Sequence, residues 1–132
     1  MKIDLKKPAV LCSAVLFSIC AARAGDISPL TTVIVSGKEI YANSAHLTVY
    51  VYDKDNGSTS GCYSGCARAW PPVLLSSGAQ VQAPLGTTRR TDGTTQITLN
   101  ARPVYTYVGD ANPGEDNGNG LGGIWHVIPV GN

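Results

Sequence analysis

Tyr50-Val51-Tyr52-Asp53-Lys54-Asp55 and Tyr105-Thr106-Tyr107-Val108-Gly109-Asp110 carry one pattern, Tyr-x-Tyr-x-x-Asp, 55 positions apart. The same offset takes Trp70 onto Trp125, the only two tryptophans of the chain. Four aligned matches in such uncommon residues mark an internal duplication. Upstream the copies run in parallel apart from a short slip: Asn43-Ser44-Ala45-His46 leads into Tyr50, and Asn100-Ala101-Arg102-Pro103 into Tyr105. The copies span about 33–78 and 88–130.

Spacing gives the motif a shape. Side chains alternate along a strand, so Tyr-x-Tyr puts both rings on one face. Leu47–Tyr52 and Val104–Tyr107 are rich in β-branched and aromatic residues, which fit a pleated surface, and each is expected to be a strand. Each runs into a polar segment, Asp53–Gly61 or Gly109–Gly123, dense in the Asn, Asp, Gly and Ser of turns. Asp55 and Asp110 are expected to cap the turn leaving each strand. Further strands are expected at Thr32–Val35, Gln96–Leu99 and Trp125–Val130, with weaker signals at Glu39–Ala42, Val73–Leu75 and Val81–Gln82. Helical periodicity is confined to Cys62–Ala69, which Pro71 stops. These signals predict an all-β fold, a small β-sandwich or open barrel of two pseudo-symmetric repeats, with one short helical turn near the cysteine pair. Both tryptophans and the tyrosine faces are expected to share its core.

The N-terminus reads as a cleavable signal peptide over 1–24. Lys2, Lys6 and Lys7 precede the apolar stretch Ala9–Cys20, and Ala22-Arg23-Ala24 supplies the small residues of a cleavage site. That stretch has 12 residues, short of the roughly 20 needed to span a bilayer. Lipid attachment at Cys20 is disfavoured by the bulky Ile19 before it. Cleavage leaves residues 25–132, a length suited to one domain with its own core. It removes Lys2, Lys6, Lys7, Arg23 and Asp4, so the mature chain keeps six basic and eight acidic residues, a net charge of −2. No basic patch points to nucleic acid, and no apolar stretch beyond the signal is long enough for a transmembrane segment. Cys12 and Cys20 leave with the signal; Cys62 and Cys66 remain. An even pair in an oxidising compartment is most simply a disulfide.

Cys62-Tyr63-Ser64-Gly65-Cys66-Ala67-Arg68-Ala69-Trp70-Pro71-Pro72 and Gly120-Leu121-Gly122-Gly123-Ile124-Trp125-His126-Val127, with the doubled motif, resemble the bacterial "secreted repeat of unknown function" family. Its members are often described as predicted lipoproteins with a Yx(FWY)xxD motif. The resemblance covers roughly Val33–Pro129. It implies a domain type and assigns no activity. The chain departs from many members in lacking a persuasive lipid-attachment cysteine.

The remaining chemistry is sparse. For Cys62 and Cys66, redox exchange and metal binding stand beside the structural disulfide, but Cys-x-x-Cys is absent and a closed zinc site needs four ligands. Only His46 and His126 could add to them, and His126, directed outward if Trp125 points inward, is a candidate copper-type ligand. The loop 110–120 holds oxygen ligands but not in EF-hand order. No nucleophile elbow and no phosphate-binding glycine motif occurs, and the paired carboxylates Asp53/Asp55 and Glu115/Asp116 lie in loops. The expectation is a non-catalytic secreted or periplasmic module, no enzyme and without cofactor, that binds a small ligand or an envelope protein. Its alternative is a metal-binding or redox-linked envelope protein. Exposed tyrosines would serve stacking; buried ones would leave the loops as the contact surface.

Overall fold

The computed structural model describes residues 28–131. The signal segment 1–24, its cleavage site and Cys20 lie outside the described residues. Among the described residues seven strands form three small antiparallel sheets. Strands β1 (Leu30–Val35) and β2 (Lys38–Asn43) make a hairpin, β3 (Tyr50–Tyr52) pairs with β7 (Trp125–Val127), and β4 (Leu85–Arg89), β5 (Thr95–Leu99) and β6 (Arg102–Pro103) make the third sheet. The only α-helix among the described residues is α1, Gly65–Ala69, and a 3-10 turn covers Leu121–Gly123. The all-β class and the single helical turn by the cysteines are as the sequence predicts.

Duplication is visible in the pairing. Each repeat begins with a hairpin, β1-β2 or β4-β5, and Leu30 and Leu85 open them 55 positions apart. Two residues, Ser36 and Gly37, separate β1 from β2, whereas five, 90–94, separate β4 from β5. β4, β5 and the connection to the motif tyrosine are each one residue shorter than their counterparts in the first copy, which together offset the longer turn and account for the slip. Tyr50 and Tyr105 then meet on the axis relating the copies: the N–H of each donates to the carbonyl of the other, at 2.8 and 3.0 Å.

The two copies are interleaved. The tail of the first repeat runs along β5 of the second, with the Leu75 N–H donating to Thr95 and the Ile97 N–H to Val73. The tail of the second runs along β2 of the first, with Tyr41 donating to Ile128 and Val130 to Glu39. Tyr50 sits opposite Val127, and Tyr105 bridges Pro72, the equivalent position. Each repeat thus satisfies the backbone edge of the other, where an unpaired edge would template aggregation.

The differences from the sequence expectation have local causes. The strand expected at Trp125–Val130 ends at Val127, because the chain then turns to pair with β2. Val104–Tyr107 is reduced to a bridge at Tyr105, since Tyr105 donates to Tyr50 while Thr106 donates to Pro71, splitting the ladder between two neighbours. No strand forms at Val81–Gln82; it lies just before Pro84, which has no N–H for a ladder, and β4 starts beyond it. The weak signal at Glu39–Ala42 becomes the full strand β2, and Val73–Leu75 contributes hydrogen bonds and a bridge at Leu74.

Alternation around β3 separates two cores. Val49 and Val51 join Leu30, Ile97, Leu99 and Val104 in an aliphatic cluster. Tyr50 faces the other way, into an aromatic cluster with Cys62, Trp70, Tyr105 and Trp125. The segment is buried on both faces, which explains why its central residues are apolar or aromatic without a polar alternate.

Candidate functional site

The aromatic cluster sits on the pseudo-two-fold axis and contains the six aromatic residues of the doubled motif, with its two aspartates hydrogen-bonded to it. Trp70 and Trp125 stack face to face, centroids 3.8 Å apart and planes 3° from parallel. Tyr107 stacks on the outer face of Trp70 at 4.3 Å, and Tyr52 lies tilted over the outer face of Trp125 at 4.1 Å. Tyr50 meets Trp70 edge-on at 5.3 Å, as Tyr105 meets Trp125. Offset and edge-on pairs of this kind add about 0.5–1.5 kcal/mol each beyond the area they bury. Each half of the cluster draws on both repeats: Tyr50 and Trp70 of the first copy pack with Tyr107 and Asp110 of the second.

The motif aspartates explain the exchange. The Tyr50 hydroxyl donates to Asp110 Oδ2 at 2.6 Å, and the Tyr105 hydroxyl donates to Asp55 at 2.9 Å. Each carboxylate also closes its own loop, Asp55 accepting from the Gly61 N–H and Asp110 from the Asn117 N–H. The capping role expected from sequence is therefore half of what these residues do. The other half is a reciprocal Tyr–Asp bond between repeats, whose partners lie 60 and 50 positions apart.

Burial pushes both tyrosine hydroxyls well above the ordinary phenol range and raises the Asp55 and Asp110 carboxyls above the usual carboxylate value. A carboxyl with a raised pKa in the folded state binds its proton more tightly there than in the unfolded chain. Its contribution to stability is therefore full below the unfolded value and falls as pH rises through the folded one. Replacing Asp110 by Asn removes that contribution. The Tm advantage of the wild type over Asp110→Asn should grow as pH drops from neutral towards the ordinary aspartate value of 3.8. Thermal melts of both proteins across that window check it; an advantage that shrinks on acidification would contradict it.

Sequence reasoning did not find the support behind Tyr105. Arg90 is buried at 4% exposure and donates to Ser60 Oγ, Gln96 Oε1 and the Cys62 carbonyl. Ser60 Oγ in turn lies 2.6 Å from the Tyr105 hydroxyl. An arginine beside a hairpin turn reads as solvated, and nothing local distinguishes Arg90 from its neighbour Arg89. Cys62 and Cys66 are joined in a disulfide with Cα atoms 5.2 Å apart. The bond pins α1, whose Cys66 carbonyl accepts the Trp70 N–H at 2.7 Å, so the staple holds the tryptophan it precedes.

The structure does not bring His46 and His126 together as a metal site. His46 occupies a left-handed turn position, φ 63°, in the link between β2 and β3. His126 lies on β7 opposite Val51, with its Nε2 2.7 Å from Asp53 Oδ2. Trp125 points inward and His126 outward, as alternation requires, but the imidazole is engaged by Asp53, which Arg102 also approaches at 3.6 Å. Among the described residues no three His, Cys, Asp or Glu side chains converge on a shared position.

Tyr50 and Tyr105 are completely buried, so these two do not present open stacking faces, whereas Tyr52 and Tyr107 are half-buried. What remains accessible is a shallow cleft of about 280 Å³ whose floor is Trp70, Trp125 and Tyr107 and whose wall is Leu121 of the 3-10 turn and Ile124 just after it. Leu121 and Gly122 of the loop 109–123, with Ile124, thus supply the wall, and the aromatic stack the floor, whereas no residue of 53–61 lines the cleft. No charged side chain lines it.

A family described as a secreted repeat of unknown function matches the chain twice, over residues 31–74 and 86–128. Those segments reproduce the two copies seen in the pairing. No curated protein and no solved structure matches the chain.

Proposed function

Because the chain belongs to the family of secreted repeats of unknown function, we propose that it is a non-catalytic binding module of the cell envelope, periplasmic after export, which takes a single uncharged ring in the cleft over the tryptophan stack. One observation carries this reading: interleaving the two repeats opens a neutral, aromatic-floored cleft at their junction. Its size, about 280 Å³, falls at the lower limit of small-ligand sites, which start near 300 Å³. One sugar ring of an envelope glycan, or one aromatic side chain of a protein partner, is the scale it accommodates. Among the described residues no helix is long and apolar enough to cross a membrane.

The polar groups nearest the cluster support a non-catalytic role. Asp55, Asp110, Tyr50 and Tyr105 are committed to one another and to loop amides, so none of these four is a free general base. Both tryptophans of the chain line the cleft, so occupancy is readable as a change in intrinsic fluorescence. Titration with a panel of neutral oligosaccharides and aromatic dipeptides should give a saturable change that Leu121→Arg abolishes without lowering Tm. Leu121 is 40% exposed, so the substitution leaves the core intact. Saturation that survives Leu121→Arg, or no response to any member of the panel, would place the contact surface elsewhere.

A further inference from the structure

The aromatic rings form a continuous column, and its order has a chemical consequence that binding does not use. Tyr107, Trp70, Trp125 and Tyr52 follow one another at centroid separations of 4.3, 3.8 and 4.1 Å. The tryptophans are buried, whereas the end rings Tyr107 and Tyr52 are half-buried and reach solvent. Edge-on to each tryptophan stands a fully buried tyrosine whose hydroxyl already donates to a carboxylate. Competing sinks for oxidation are missing among the described residues: the sole methionine, Met1, lies outside them, and Cys62 and Cys66 are bonded to each other. Thiols and thioethers otherwise take such damage first.

We propose that this column is a one-electron relay, which carries an oxidising equivalent from the Tyr107 end through Trp70 and Trp125 and holds it as a neutral radical on Tyr105 or Tyr50. The reactant is a diffusible one-electron oxidant of the kind an exported protein meets. It takes one electron at the solvent-reached end of the column and is itself reduced by one. The vacancy passes between overlapping π systems to the tryptophans. Tyr105 then returns an electron to Trp125 as its O–H bond breaks, the proton crossing the 2.9 Å hydrogen bond to Asp55. Tyr50 does the same towards Trp70, its proton passing to Asp110 over 2.6 Å. The products are a phenoxyl radical and a neutral carboxylic acid, so no net charge is created in the buried cluster, where an unpaired charge is costly. A one-electron reductant of the ascorbate or thiol class resets the pair, supplying the electron while the aspartate returns the proton.

The two halves are equivalent by pseudo-symmetry, which gives the relay two traps for one column. The proposal does not depend on the cleft having a ligand, and its test uses none. The full secreted chain is oxidised by flash-generated tris(bipyridine)ruthenium(III) and followed by transient absorption and freeze-quench electron paramagnetic resonance. Expected in the wild type is a phenoxyl radical that forms as a tryptophan radical decays, with slower formation in D2O. The Asp55→Asn/Asp110→Asn protein, which keeps an acceptor oxygen at each position but is a poorer base, should leave the oxidation on tryptophan. Trp70→Phe interrupts the column just beyond Tyr107, so it should slow phenoxyl formation on both Tyr50 and Tyr105 by on the order of tenfold. Tyr107→Leu alters only a half-buried ring, so it tests entry to the column should Trp70→Phe fail to fold. Radical yields and rates unchanged in both the aspartate and Tyr107 variants would overturn the relay, as would a radical located on Tyr41 or Tyr63.

Discussion

Trp125→Ala is expected to cost about 3–5 kcal/mol, the usual penalty for truncating a buried aromatic, and Trp70→Ala a similar amount. Trp125 is only 5% exposed and touches Trp70, Tyr52 and Tyr105 with well-formed ring geometry. Alanine leaves a cavity at the axis between the repeats, where neither copy can collapse without breaking the Tyr50–Tyr105 backbone pair. Against a total stability of about 5–15 kcal/mol for a domain, this is at least about a fifth of the whole. The double variant should cost less than the sum, because each tryptophan loses the partner that made its removal expensive. Contacting residues couple by about 0.5–3 kcal/mol. Urea unfolding of the two single variants and the double variant measures all three. A single-variant loss below about 1 kcal/mol would mean that the stack is not the keystone of the fold.

Gly118→Val is the second large effect. A Cβ built on Gly118 falls 2.6 Å from Trp70 Cη2 and 3.0 Å from Tyr50 Cζ. Both rings are held between other rings, so neither can move aside without breaking the stack. Overpacking of this kind costs about 1–3 kcal/mol and occasionally more, and valine adds two methyl groups beyond the clash. The Gly118 N–H also donates to the Tyr50 hydroxyl at 3.2 Å, so displacing the loop weakens the Tyr50–Asp110 bond as well. Near-ultraviolet circular dichroism should show the aromatic signal diminished, and urea unfolding a lower midpoint. Gly120 sits two residues on with φ 78° and nothing within 4 Å of its Cβ, so Gly120→Ala should show backbone strain alone, with the aromatic signal kept. Equal effects at both positions would contradict a steric role for Gly118.

These two residues differ in how far they were legible. Trp125 announces itself by matching Trp70 at the motif offset. Gly118 is one of several glycines in a polar loop, and only the approach of Trp70 from another part of the chain distinguishes it. Arg90 and Ser60 are of the same kind: their partners come from three separate segments, and no local pattern encodes such a meeting. His46 and His126 show the converse, two rare residues of suggestive chemistry that the topology leaves on different elements.

The strands show a similar division. The β-branched and aromatic residues of Leu47–Tyr52 and the turn residues after it predicted a strand followed by a bend, but the strand is confined to Tyr50–Tyr52, with only an isolated bridge at Thr48 before it. They did not predict that the strand after Trp125 would stop at Val127, because that depends on the tail of one repeat lying along the hairpin of the other. The metal alternative drew on composition, and His126 turned out to be engaged by Asp53 across the β3–β7 pair.

What the sequence by itself determined is therefore the unit and its multiplicity: a Tyr/Trp/Asp motif, made twice, in short strands joined by polar turns. Those are local properties, written in spacing and side-chain type. The tertiary structure alone decided that the copies exchange partners, Tyr50 bonding Asp110 and Tyr105 bonding Asp55. Each repeat on its own leaves a buried hydroxyl, one carboxylate oxygen and a strand edge unsatisfied, and only the second copy, folded across the axis, supplies what each lacks.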